Sequence, residues 1–117
     1  MKILLKATNF SLTPAISDYI EEKIGGLAKY IPDHDSPAVE ARVEVGRTTK
    51  HHQKGDVLRA EVNLKIPGQL LRAERETGDL YASIDAVHDE MKRQIISFKE
   101  KRISKKVRAA RRAEIGA

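Results

Sequence analysis

Residues 60–95, AEVNLKIPGQLLRAERETGDLYASIDAVHDEMKRQI, carry a tight turn and a change of period that decide the fold. Ala60, Val62, Leu64 and Ile66 alternate with Glu61, Asn63 and Lys65, and Leu58 and Arg59 extend the pattern upstream. That is a strand with one face buried and the other in water. "IPGQ" supplies a type II turn, with proline fixing φ and glycine accepting φ > 0. "LLRAERE" returns as the next strand. The period then lengthens. Gly78 ends the strand, and Asp79 serves as an N-cap or first-turn carboxylate. Leu80, Ile84, Val87, Met91, Ile95 and Phe98 follow at spacings of 4, 3, 4, 4 and 3, the stripe of an amphipathic helix that weakens after Ile103.

The upstream chain completes the pattern. Val39, Ala41, Val43 and Val45 alternate with Glu40, Arg42 and Glu44. In the opening "MKILLKAT", Ile3, Leu5 and Ala7 alternate with Lys2, Leu4 and Lys6. Between these strands, "SLTPAISDYIEEKIGGLAKYI" places Leu12, Ile16, Tyr19, Ile20, Ile24, Leu27 and Ile31 at helical spacing. Thr13 is the expected N-cap and Pro14 the first helical residue, where the missing N–H costs nothing. Gly25-Gly26 is a weak point, since glycine in a helix interior costs about 1 kcal/mol relative to alanine. Either a kink or a close backbone approach is expected there. "PDHDSP" reads as a loop. The order β-α-β-β-β-α predicts an α+β fold of two layers: a four-stranded sheet with both helices packed on one face.

The 117 residues suffice for one domain with an ordinary core. With 40% hydrophobic and 33% charged residues the chain reads as globular, not disordered. The first ten residues hold too short an apolar run for a signal peptide, and nothing reaches transmembrane length. No cysteine is present, which excludes disulfides, thiolate metal ligands and a thiol nucleophile. A cytoplasmic protein is the expectation. The formal charge of +5 is uneven: residues 1–91 hold 12 Lys/Arg against 15 Asp/Glu, whereas residues 92–117 hold 10 against 2. A basic segment on a mildly acidic body is the electrostatic footprint of a nucleic-acid binder. A merely solubilising tail is the bland alternative.

"RTTKHHQKGD", Arg47 to Asp56, joins two strands and concentrates histidine and cations. His51 and His52 are adjacent on a loop, with no cysteine or carboxylate pair beside them, and His34 and His88 lie far off; no metal site is expected. No nucleophile, paired carboxylate or Gly-rich phosphate loop stands out, so no enzyme and no cofactor are expected. Asp33, Asp35, Asp85 and Asp89 read as solvated charges. Ten residues are long for a hairpin loop. The loop is then either a solvated tip or a finger in which Lys50, His51, His52 and Lys54 meet RNA phosphates, bases or 2′-hydroxyls. On the last helix Lys92, Arg93, Lys99, Lys101 and Arg102 fan along the exposed flank. Aromatic residues are 4% of the chain and mostly at positions that read as core, which argues against a base-stacking platform.

The order of elements is shared with double-stranded-RNA-binding domains, but those place a lysine cluster at the start of the last helix, where Asp79 and Asp85 stand here. "LTPAISDYIEEKIGGLAKY", the stretch 60–95 quoted above and the opening strand together resemble the ribosome hibernation promoting factor family, also called ribosome-associated inhibitor or subunit-interface protein. The resemblance covers about residues 1–101. Its most specific part is "DLYASID" with Lys92-Arg93-Gln94 a little over two turns later.

The resemblance implies a translational silencer. Such a protein occupies the decoding channel of the small ribosomal subunit, at the mRNA and A- and P-site tRNA positions, and keeps ribosomes inactive under stress. Its partners would be the small subunit with its rRNA and the 70S-type ribosome; no membrane or DNA is expected, and the free protein should be monomeric. Lys92, Arg93, Gln94 and Lys99 are the first candidates for rRNA contact, and Lys23 and Lys29 are secondary ones. Asp79, Tyr81 and Asp85 match the family in structural roles. The family usually has a lysine where Glu90 stands and often basic residues at Ile96 and Ser97. Residues 1–101 are expected to form the ribosome-binding domain, and 102–117 a basic tail, either a helix extension or disordered, whose cations from Lys101 to Arg112 make up the charge. Without the second domain of long family members, the chain is expected not to pair ribosomes by itself. The competing readings are a general double-stranded-RNA-binding module and a regulator acting through protein partners, the latter requiring an exposed apolar patch.

Overall fold

In the computed structural model, which describes residues 1–48, 55 and 57–116, the alternating runs pair into one four-stranded sheet. Its strands are β1 (Lys2–Thr8), β2 (Glu40–Thr48), β3 (Val57–Ile66) and β4 (Gln69–Thr77), adjacent in that order. β1 runs parallel to β2, with Ile3 opposite Ala41 and Leu5 opposite Val43. A parallel pair needs a crossover, and α1 (Pro14–Gly25) with a 3-10 turn (Gly26–Tyr30) supplies it. The other pairs are antiparallel, Val43 facing Val62 and Val62 facing Ala73. This register gathers Ala41, Val43, Val45, Ala60, Val62, Leu64, Leu71 and Ala73 on one face. There α2 (Leu80–Gly116) packs on β3 and β4, while α1 contacts β1 and α2. The expected α+β sandwich of two layers is the observed fold.

Local chemistry sets the boundaries. Thr13 has extended backbone, and its Oγ1 accepts the Ile16 N–H at 3.2 Å, with Pro14 opening the helix. Gly25-Gly26 marks the change from α-helix to 3-10 turn, and both residues keep right-handed dihedrals. A Cβ at Gly25 would make only ordinary contact with Ile3 Cδ1 at 3.8 Å, so the expected close approach is not found, and the helix instead tightens into a 3-10 turn. Gly68 has φ 81°, the value a type II turn demands at its third position. Asp79 Oδ1 accepts the Tyr81 N–H at 3.2 Å and caps α2.

Ile20, Ile24 and Leu27 meet Val39, Val45, Val62 and Leu64 of the sheet and Ile84, Val87, Met91 and Ile95 of α2 in one continuous core. Each such side chain contributes about 1.5–3 kcal/mol relative to exposure. Ser83 is fully buried among them. Its Oγ donates to the Leu58 carbonyl at 2.7 Å and shares a hydrogen bond with Thr77 Oγ1 at 2.7 Å, so the hydroxyl is satisfied where α2 begins.

Two sequence expectations are corrected. Arg47 and Thr48, read as loop residues, belong to β2, opposite Leu58 and Val57, because the alternation of β3 begins one residue earlier and pairs them. The buried stripe of α2 ends at Phe98, not near Ile103, which is 60% exposed. By that point the 37-residue helix has run past the sheet, and residues 101–114 are all exposed. No helix among the described residues is long and apolar enough to cross a membrane.

Candidate nucleic-acid interface

The basic residues of α2 do not form one face. Successive residues advance about 100° around a helix, so Lys92 and Lys99, seven apart, share one flank. Arg93, Gln94 and Lys101 turn toward the other, and Arg102 follows on from the buried stripe. The first flank lies beside the 3-10 turn and the second beside β4.

On the first flank Lys29 and Lys92 converge on Tyr30. Their Nζ atoms lie 5.2 Å and 5.0 Å from the centre of the Tyr30 ring. The neighbouring Lys92 ammonium, with Lys29 behind it, lowers the pKa of the Tyr30 phenol, although partial burial works in the opposite direction. Among the described residues neither lysine has a carboxylate within ion-pair distance. Lys23 differs: its ammonium lies 3.6 Å from Asp85, which also accepts the hydroxyl of Tyr19. That hydrogen bond, followed by burial and the Asp85 charge, pushes Tyr19 up to about 12. Tyr19 further meets Tyr81 edge-on, ring centres 4.8 Å apart. Lys23 is thus part of the clasp between α1 and α2, in line with the structural roles expected for Asp85 and Tyr81.

On the second flank Glu90 organises the residues. Arg93 donates Nε and Nη2 to its two carboxylate oxygens at 3.0 and 2.7 Å, and Gln94 Nε2 donates at 3.1 Å. Arg93 first and Gln94 second hold the Glu90 carboxyl down at about 2. Gln94 Nε2 also reaches the Arg72 carbonyl of β4 at 2.8 Å and ties helix to sheet. A cleft of about 750 Å³ opens beyond this point, lined by Gln69 and Leu71 at the start of β4 and by Arg93, Lys101, Arg102, Lys105 and Arg108, with Glu100 the single carboxylate. Arg102 Cζ lies 5.7 Å from the centre of the Phe98 ring, so the guanidinium closes the end of the apolar stripe.

The outward face of the sheet is charge-balanced. Arg59 pairs with Glu61 and, at 2.6 Å, with Glu74; Arg72 lies 3.4 Å from Glu61 and 3.2 Å from Glu74. The Arg59 guanidinium lowers the Glu74 carboxyl. All five aromatic residues lie outside the strands, so this face has no ring on which a base could stack. Phe10, Tyr19, Tyr30 and Phe98 are half-buried and pack against the core, in line with the sequence reading, and Tyr81 is exposed. The contact of Tyr30 with Lys92 joins residues remote in sequence and leaves no local signal. Lys50, His51, His52 and Lys54 lie outside the described residues. Among the described residues no three His, Asp or Glu side chains gather to hold a metal.

Residues 3–103 match the family described as Sigma 54 modulation protein / S30EA ribosomal protein. The chain belongs to this family. Relatives named ribosome hibernation promotion factor include those of Picosynechococcus, 35% identical over 113 residues, and Staphylococcus aureus, 38% identical over 100 residues. These alignments cover 91% and 86% of the chain but 53% and 48% of the relatives, so the chain spans about half their length. The Protein Y N-terminal domain of Thermus thermophilus superposes with a TM-score of 0.66 at 32% identity, over 84% of this chain and 99% of that one. A ribosomal subunit interface protein from Coxiella burnetii shares the fold, with a TM-score of 0.67 at 21% identity, over 86% of this chain and 99% of the other. The family resemblance read from "DLYASID" and its surroundings is borne out.

Proposed function

We propose that this S30EA-family chain is a cytoplasmic ribosome-binding translational silencer. It docks on the small subunit through rRNA phosphates, occupies the decoding channel used by mRNA and by A- and P-site tRNAs, and blocks translation by occupancy, without catalysing a reaction. Lys29, Lys92, Lys99, Lys101 and Arg102 carry the contact, with Arg93 modulated by Glu90 and with Lys50, His51, His52 and Lys54 as a second contact. Lys23 and Gln94 position the helix. The observation that carries this reading is a set of cations that, among the described residues, have no carboxylate within ion-pair distance: Lys29 and Lys92 where the 3-10 turn meets α2, and Lys101 and Arg102 along the cleft beside β4. Such a surface suits phosphates and backbone shape, not base sequence. The names of the relatives point to the same partner.

Cosedimentation with purified small subunits at near-physiological salt tests it, with tRNA and a duplex RNA as competitors. Displacement by tRNA and not by duplex RNA is expected. Equal loss to both competitors, or no binding, would leave at most a general double-stranded-RNA-binding module.

A further inference from the structure

The convergence of Lys29 and Lys92 on Tyr30 calls for an explanation that a nucleic-acid surface in general does not give. Two ammoniums from different elements lie within 5.2 Å of the centre of one ring. Both add positive charge around one side chain, and among the described residues no carboxylate neutralises either lysine. Two nearby cations do have carboxylate partners: Lys23 pairs with Asp85 and Arg93 with Glu90. The ring itself is anchored, since Tyr30 packs against the core while remaining half-exposed. A tyrosine with an apolar body and a wet hydroxyl is a rigid donor at low entropic cost. We propose that Lys29, Tyr30 and Lys92 form one receptor for a single backbone phosphate of RNA, held by both ammoniums and the phenol hydroxyl; this rests on the ribosome-binding reading for its ligand.

A phosphate fits better than a base. The ring already carries ammoniums over it, so a base could stack there only by displacing them. A phosphodiester, by contrast, brings the negative charge that two unpaired ammoniums lack, and its oxygens accept from N–H and O–H alike. The lowered pKa of the phenol, caused first by Lys92, is consistent with an oxygen held in a cationic field. The arrangement exists only when the 3-10 turn is docked on α2, so it reports the folded domain and not the basic tail.

Two measurements on the full chain test the receptor. In the first, NMR follows the Tyr30 ring and lysine ε-methylene resonances as inorganic phosphate is added. Saturable shifts at Tyr30, Lys29 and Lys92, absent at Lys65 on the outer sheet face and abolished by Lys92→Gln, are expected. In the second, affinity for small subunits is measured against salt. Each phosphate contacted contributes about one unit to the slope of log K against log salt. Because the two lysines share one phosphate, Lys29→Gln and Lys92→Gln together should remove about one unit, not two. Tyr30→Phe, which keeps the packed ring, should weaken binding about fivefold with the slope unchanged. Slope losses that add to two units, wild-type binding by all three variants, or the absence of a saturable phosphate shift would overturn the receptor. Saturation by phosphate without any binding of small subunits would support the receptor and remove the ribosomal reading instead.

Discussion

Arg93 grips Glu90 through both carboxylate oxygens, at 3.0 and 2.7 Å, one helical turn apart on the exposed side of α2. The guanidinium that reads in sequence as a free phosphate ligand is therefore already engaged. The same carboxylate accepts from Gln94, which also holds the backbone of β4. Glu90 thus restrains the basic flank and helps bolt the helix to the sheet.

Glu90→Gln should release Arg93 and remove a negative charge from the rim of the groove. Affinity for small subunits is expected to rise about threefold to tenfold at near-physiological salt, measured by cosedimentation. An affinity equal to wild type would mean that Arg93 takes no part in the contact.

The same carboxylate sets a pH dependence. Its folded pKa, about 2, lies below the ordinary 4.5, so its contribution to stability is full above about pH 5 and is lost as pH falls through 2. With Arg93 largely exposed, solvent screening keeps the contribution small. Thermal unfolding should therefore separate wild type from Glu90→Gln near neutrality, and the gap should close between pH 5 and pH 2. A gap independent of pH would show that the ion pair adds nothing.

Ser83→Ala removes the hydroxyl that joins the Leu58 carbonyl and Thr77 Oγ1 beneath the start of α2. A loss of about 1–3 kcal/mol in denaturant unfolding is expected, because the Leu58 carbonyl loses its side-chain donor in a fully buried site. Ser83→Thr would test packing separately, since it keeps the hydroxyl and adds a methyl group.

Deleting residues 103–117 should leave thermal stability nearly unchanged, within about 0.5 kcal/mol, because residues 103–114 are exposed and contribute nothing to the core. Affinity for small subunits should fall and its salt dependence should flatten, since the deletion takes away five cations, Lys105, Lys106, Arg108, Arg111 and Arg112. Unchanged affinity would make the end of α2 dispensable for binding.

Much of this was legible in the residues. Period-2 alternation located β2 and β3 to within three residues, Thr13-Pro14 located the start of α1, and the Leu80–Phe98 stripe identified the core face of α2. These signals are local: each depends on neighbours one to four positions away. The candidate site was legible in composition, as a basic last helix, but not in arrangement. Arg93 and Lys92 are adjacent in sequence, yet one is held by Glu90 and the other faces Tyr30.

By itself the sequence determined the order of elements, the buried face of all but β4, the family and the sign of the charge on the last helix, because hydrophobic period and capping chemistry act at short range. Only the tertiary structure decided which cations remain unpaired. Whether Lys23 meets Asp85, or Lys29 and Lys92 share Tyr30, depends on how α1 and the 3-10 turn dock against α2. Charges interact through space, and docking alone sets the distances between groups so far apart along the chain.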